Sequence, residues 1–561
     1  MNPRAVKARP DAKVPLLADL QHSLETHFLS KLEYLNAIGI ALSQERDIDR
    51  LLETILVAAK NLTRADGGTL YRLVDDKLQF EILRNDSLSI AMGGTSGNPV
   101  PFYPIPLHDK DGNANLTMVA AYAALNDSTV NIADAYSEEG FDFSGTRNFD
   151  KRTGYRSTSF LTVPMKNHEG EIIGVLQLLN AIDAATGKVA AFGDEDRRLA
   201  ESLASQAAIA LTNRFLIQQL EVLFESLIEL INTAIDDKSP YTGGHCKRVP
   251  TLTMMLAEAA DAATEGPLAE FRMTDKDRYE LKIAGLLHDC GKITTPVHVV
   301  DKATKLQTIF DRIGLVDTRF EALKREAEIA MLRALLAARG AGDTASEQRA
   351  REDFEARIRQ YDDDREFLRR TNIGGERMSP EDQARVSRIA QYTWTGPRGV
   401  AERFLSRDEE ANLNIPYGTL NQQEREIINH HIVATIKMLE ALPWPRHLTN
   451  VPEYAGGHHE RMDGKGYPRG LTRAQMSVQA RIMGIADIFE ALTAKDRPYK
   501  PGKTLSESLS ILGKFKENGH VDPDLFDIFV RDRVYLRYAQ EFLDPEQLDE
   551  VDLSTIPGFP R

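Results

Sequence analysis

The chain has 561 residues, of which 42% are hydrophobic and 27% charged, and its formal net charge is −15. That length is too great for one core and points to three or four structural units, with the composition of a globular protein rather than a disordered or fibrous one. The acidic balance argues against binding a nucleic-acid polymer or an anionic membrane surface, while a metal cluster could still reverse the local field for a small anionic ligand. No run of about 18 apolar residues suggests a membrane span. The first fifteen residues lack the apolar core of a secretory signal. The two cysteines, Cys246 and Cys290, stand far apart. A cytoplasmic location with reduced thiols is the expectation.

In chain order, residues 1–30 read as a weakly structured lead-in and residues 31–195 as an α+β domain. Apolar residues recur at helical spacing from about Leu32 to Ala65. Strand-like runs follow at 68–73 and 77–83. The clearest hairpin joins 159–165 to 171–179 through a polar turn at 167–170, where Asn167 and Gly170 stand between two β-rich runs.

Residues 196–234 read as one connecting helix. Leu216, Leu220, Leu223, Leu227 and Leu230 alternate steps of four and three, an a/d seam. A parallel homodimer helix is the expected use; packing on its own domain is the plainer alternative. Residues 235–545 read as all-helical with no strand pattern. They include a charged helical insertion at 305–412, whose charge runs read as solvated faces, and 546–561 form a C-terminal tail.

The chemistry lies in histidines and aspartates scattered over this helical region: His245, the pair His288-Asp289, His431, the pair His458-His459, and Asp487. A lone histidine on an apolar helix is more often a core residue than a ligand. Adjacent histidines before a Gly-rich turn have little reason to enter a core, and the combined pattern favours ligation. A neutral imidazole can bind one ion while a carboxylate bridges two, about 3.5–4 Å apart, that clamp a phosphate. Mixed imidazole and carboxylate donors suit iron or manganese, and the lack of thiolates argues against structural zinc. Cys290 follows Asp289, but helical spacing turns it to another face.

This region resembles the HD-GYP family of cyclic-di-GMP phosphodiesterases. His245, His288-Asp289 and Asp487 match the broad HD signature. His458-His459-Glu460-Arg461, Asp463-Gly464 and Gly466-Tyr467-Pro468 match the narrower one. The resemblance implies a hydrolase that opens cyclic di-GMP to pGpG and carries it on to GMP. It implies two divalent ions held by His245, His288, Asp289, His431, His458, His459 and Asp487, with Asp289 bridging. It further implies Lys292 beside the scissile phosphate, and Arg461, Tyr467, Arg497 and Lys500 against the bases and phosphates. Another cyclic dinucleotide such as 3',3'-cGAMP, another phosphate ester, or a non-catalytic nucleotide receptor are the alternatives.

Two departures stand out. About a hundred residues intervene between the HD segment and His431, an insertion that could lid the site or alter substrate choice. Tyr241 also stands where some relatives place an extra carboxylate for a third metal, so two ions are expected.

The first domain resembles GAF domains, including those of mammalian cyclic-nucleotide phosphodiesterases. Asn180, Phe192, Asp194 and Glu195 match part of their pattern, but Ala181 replaces a lysine and the spacing from Phe192 is short. The implied partner is a cyclic nucleotide or other small ligand, against the alternative of a ligand-free dimerisation domain. With no cysteine in the domain, a thioether-linked bilin is excluded.

Overall fold

The computed structural model describes residues 33–238, 244–375, 377–495 and 502–560. It divides into two compact units, the first ending at Phe224 and the second beginning at Glu225.

The first unit is built on an eight-stranded sheet. Its strands are β1 (Ala65–Val74), β2 (Lys77–Asn85), β3 (Ile90–Gly93), β4 (Ile105–Pro106), β5 (Val130–Ile132), β6 (Phe160–Lys166), β7 (Ile172–Ile182) and β8 (Val189–Ala190). They run β3-β2-β1-β7-β6-β5, with β4 on β2 and β8 on β7. Turn chemistry sets the pairing. Asp75 and Asp76 both take positive φ (47° and 61°) in the two-residue β1–β2 turn, whose backbone twist matches that of the strands. In the expected β6–β7 hairpin, the Asn167 side chain accepts from the N–H groups of Glu169 (3.0 Å) and Glu171 (2.9 Å).

The helical run expected from Leu32 to Ala65 is two helices, one reaching residue 44 and one at Ile48–Thr63. Asp47 ends the continuity, because its carboxylate accepts from Arg50 N–H (2.8 Å) as an N-cap. Leu51, Ile55 and Leu56 pack on one sheet face with Leu70, Leu176 and Leu178, joined there by Leu203, Ala207 and Leu211. Each such buried leucine contributes about 2 kcal/mol. Tyr71, Leu78 and Val175 cover the other face with Ile105, Ala120 and Ala121.

Leu203, Ala207 and Leu211 belong to a 45-residue helix, Asp194–Lys238. Beyond them the leucine seam is exposed: Leu216, Leu220, Leu223, Leu227 and Leu230 each keep 46–64% of their accessible surface.

The second unit is helical around the helices His245–Asp261, Asp275–Leu287, Gln422–Glu440 and Val478–Thr493. The insertion forms an antiparallel pair, Ile313–Ala341 and Thr344–Asn372, with a core of its own around Phe320, Leu323, Phe367 and Phe404. It also holds a feature the sequence pattern does not suggest, a hairpin of β9 (Thr393–Thr395) and β10 (Ala401–Arg403). Strands of three residues are too short to show alternation. The turn at Gly396 and Gly399 and a bond from Thr395 N–H to Glu326 (2.7 Å) hold them instead. In the last segment, Gln547 donates to the carbonyls of Thr493 (2.9 Å) and Lys503 (3.0 Å), tying that stretch to the unit. Among the described residues, no helix is long and apolar enough to cross a membrane.

Candidate metal centre

Five chain segments deliver the seven expected ligands. The helix Asp275–Leu287, started by a Thr274–Asp277 capping box, ends at His288, and Asp289 then turns the chain into a 3-10 turn, Cys290–Thr294. Gly291 is required here: a Cβ would lie 2.0 Å from the His431 carbonyl and 2.5 Å from Thr435 N. That close approach seats the His-Asp pair against the helix Gln422–Glu440, where His431 is buried. His245 opens its helix after Gly244, at φ 83°. His458 and His459 follow the short helix Val451–Gly456, and Asp487 lies within Val478–Thr493.

These side chains converge. His245, His288 and Asp487 form one group able to hold an ion, His431, His458 and His459 a second, and His288, Asp289 and His458 a third. Asp289 stands between them. Its Oδ2 lies 3.1 Å from His245 Nε2 and 3.3 Å from His288 Nε2, while its Oδ1 lies 3.3 Å from His431 Nε2. One carboxylate therefore presents an oxygen to each group, as a bridging ligand must.

The ring orientations are fixed from behind. Nδ1 of His288 faces the Gly285 carbonyl (2.7 Å), that of His431 the Ile428 carbonyl (2.5 Å) and that of His458 the Ala455 carbonyl (2.7 Å). Each bond settles the tautomer and leaves Nε2 for the centre. His245 Nδ1 instead meets Glu490 Oε2 at 2.5 Å, and Arg248 Nε holds the other oxygen of Glu490 at 2.7 Å. Sequence reasoning passed over Glu490. Its signal is the spacing of three from Asp487, which puts both carboxylates on one helix face.

The residues present fit a pair of cations. Asp289 Oδ1 and His458 Nε2 are buried without a hydrogen-bond partner, at a cost of about 1–3 kcal/mol each unless a ligand engages them. Burial, with His288 adding to it, pulls His458 down to about 4; burial and His458 likewise hold His459 well below the ordinary histidine value. Both rings are thus neutral donors at neutral pH. Burial opposes charge on His245, yet Glu490, Asp289 and Asp487 outweigh it and hold that ring well above the usual value. Positive charge is what this spot favours. Burial pushes the thiols of Cys246 and Cys290 up to about 12 and about 11, so neither supplies a thiolate.

Lys292 Nζ lies 2.6 Å from Asp289 Oδ2. Burial works against its charge, but Asp289 and Asp487 outweigh that and keep the ammonium above the ordinary lysine value. Tyr467 stacks on His459, with centroids 4.8 Å apart and planes at 20°. Arg461 grips Asp463 through two bonds of 3.0 and 2.8 Å. Buried Glu460 accepts from Arg469 N–H (2.7 Å) and Leu471 N–H (2.8 Å), closing the loop that carries Tyr467. His458, His459, Asp487, Arg461 and Tyr467 line one cavity of about 550 Å³. Arg497, Lys500 and Tyr241 lie outside the described residues.

In the first unit Asn180, Phe192, Asp194 and Glu195 do not line the cavity of about 250 Å³ bounded by Tyr71, Phe80, Phe143, Phe149 and Phe160 among others. Asn180 is buried, accepts from the N–H groups of Thr158 (2.7 Å) and Ser159 (3.2 Å), and donates to Tyr155 Oη (2.9 Å) and the Arg156 carbonyl (2.8 Å). Phe192 sits in the core, and Asp194 and Glu195 begin the long helix.

Residues 47–211 match the GAF domain family, and residues 242–365 and 408–525 match HD domain families on either side of the insertion's second half. The chain therefore joins a GAF domain to an HD-domain region, an arrangement that fits the HD-GYP resemblance. Among relatives, the 3'3'-cGAMP-specific phosphodiesterase 1 of Vibrio cholerae is 39% identical over 172 residues, 26% of this chain and 39% of that protein. A cyclic di-GMP phosphodiesterase of Pseudomonas aeruginosa is 45% identical over 119 residues, 21% of this chain and 27% of that protein. The dual 3',5'-cyclic-AMP and -GMP phosphodiesterase 11A of Takifugu rubripes is 30% identical over 124 residues, 22% of this chain and 13% of that protein. The chain therefore spans well under half the length of these curated relatives.

Proposed function

We propose that the HD-GYP region is a divalent-metal phosphodiesterase that opens cyclic di-GMP to pGpG and carries it on to GMP, under control of the GAF domain. The observation that supports this most is the convergence of seven donors on one buried spot, where Asp289 Oδ1 and His458 Nε2 have no hydrogen-bond partner.

His245, His288 and Asp487 would hold one ion and His431, His458 and His459 the other, with Asp289 between them. Iron or manganese suits these donors, and Tyr241 in place of a carboxylate favours two ions over three. When bound, the ions supply a nucleophile at neutral pH and offset the phosphate's negative charge. Lys292, held cationic by Asp289, stabilises the charge that grows on the phosphate oxygens. Glu490 and the three carbonyls behind the histidines keep the imidazoles aimed, so little reorganisation accompanies the reaction. Tyr467 and Arg461 line the space for the nucleotide, with Arg497 and Lys500 the further base and phosphate contacts.

The GAF cavity is the place for a cyclic nucleotide or other small ligand, and the exposed leucine seam for a homodimer; a cytoplasmic location completes this reading. A second reading, 3',3'-cGAMP as substrate, is favoured by the cGAMP-specific phosphodiesterase among the relatives. The test is turnover of both dinucleotides by metal-reconstituted chain, with metal content measured alongside. Cleavage of cyclic di-GMP in proportion to bound metal is expected. Preference for 3',3'-cGAMP would transfer the substrate, and tight binding without cleavage by the metal-loaded chain would make the protein a receptor.

A further inference from the structure

The insertion returns to the helix Gln422–Glu440 through a short loop that carries Tyr417, and Tyr417 lines the same cavity as His458, His459 and Asp487. Its side chain is 60% exposed. Among the described residues its ring packs on no other ring and its hydroxyl has no hydrogen-bond partner.

The backbone beneath it, by contrast, is tightly held. Lys305, from the start of the insertion, donates to the carbonyls of Leu413 (3.0 Å) and Ile415 (2.8 Å). Met378, from its interior, donates its N–H to the Pro416 carbonyl (2.9 Å). Arg425 donates to the Tyr417 carbonyl (2.5 Å), and Thr419 to the Lys302 carbonyl (2.8 Å). Buried Lys302 also bonds Asn412 (3.0 Å) and Glu424 (2.7 Å). Both ends of the insertion thus hold one loop, and that loop presents one free ring to the cavity. With the backbone held before binding, only the Tyr417 side chain has to be ordered when a ligand meets it.

From this geometry we infer that Tyr417 is a base-contacting, specificity-determining residue, and that presenting it is what the insertion does for the site. The inference rests on the phosphodiesterase reading. A phosphate anchored at the histidine cluster leaves a purine to occupy the rest of the cavity, and the purine's π face is what an unpartnered phenol ring can bind. Stacking of this kind is tolerant of base identity and depends on the ring rather than the hydroxyl.

The test compares Tyr417→Ala and Tyr417→Phe with the unaltered full chain. For cyclic di-GMP, Tyr417→Ala is expected to raise KM ~10-fold with kcat within twofold, and Tyr417→Phe to behave as the parent. Hydrolysis of methyl p-nitrophenyl phosphate, a diester without a base, should be the same in all three. A readout independent of turnover is the Kd for cyclic di-GMP on metal-stripped protein by calorimetry, where Tyr417→Ala should again weaken binding ~10-fold. Unchanged KM and Kd in Tyr417→Ala overturn the inference, as does a Tyr417→Phe variant as weak as Tyr417→Ala. Failure of every form to cleave either diester sinks the phosphodiesterase reading instead, and the Kd comparison then decides the role of Tyr417. Absence of both cleavage and binding in every form overturns both.

Discussion

The candidate metal centre and the GAF unit treat their singled-out polar residues in opposite ways. In the centre, His288, His431 and His458 each use Nδ1 on a carbonyl three residues back, and every Nε2 points inward, leaving His458 Nε2 and Asp289 Oδ1 partnerless in the interior. In the GAF unit, the Asn180 side chain bonds four groups of the segment that leads into β6, Tyr155, Arg156, Thr158 and Ser159, and no polar atom of that side chain is left for a ligand. Buried polar groups that go unpaired at a cost point to a missing ligand; those fully paired point to architecture. The same residue-type signal in a sequence therefore stands for chemistry in one unit and for structure in the other.

Four substitutions test whether the two sites differ in this way. The largest effect is expected from Asp289→Ala, which removes the oxygen offered to both histidine groups. Cyclic dinucleotide turnover should fall by at least ~10³-fold and bound metal should drop on elemental analysis, with the sensor unit unaffected; parent-like turnover would remove the centre from the mechanism. Next comes Glu490→Gln, which keeps the shape but loses the charge behind His245. A 10–100-fold loss of metal affinity is expected from competitive chelator titration, and an unchanged affinity would reduce Glu490 to a packing role.

On the sensor side, Asn180→Ala leaves the N–H groups of Thr158 and Ser159 unsatisfied. It should cost about 2–3 kcal/mol of stability, seen as a lower Tm for the sensor transition, while metal content stays at parent level. An Asn180→Ala chain of parent stability would return Asn180 to the list of ligand contacts. The smallest effect on stability belongs to Leu223→Glu on the exposed seam. Tm should move by no more than about 0.5 kcal/mol equivalent, yet sedimentation should report a shift from dimer to monomer. A parent-like sedimentation profile would remove the seam from the interface.

Much of the architecture is legible in the sequence. The β6–β7 hairpin followed from Asn167 and Gly170 between β-rich runs, and the family resemblance named the seven His and Asp side chains that the fold brings together. Local signals failed where the causes were not local. Asp47 cuts the first helical run because its side chain competes for the backbone, a choice that apolar spacing does not record. The β9–β10 hairpin depends on Glu326, distant in sequence. Glu490 acts through His245, 245 residues away, so it carries no motif of its own.

Read alone, the residues indicated which side-chain types could ligate metal, that the first unit mixes strands with helices while the second is mainly helical, and where an unusual insertion lay. These depend on periodicity, turn residues and donor chemistry, all written within a few neighbouring positions. Only the tertiary structure decided that Asp289 stands between two histidine groups, that Asn180 is fully paired, and that the insertion returns to present Tyr417 at the cavity. Each is a matter of distance between segments far apart in the chain, and such distances arise from how the helices and their buried faces pack.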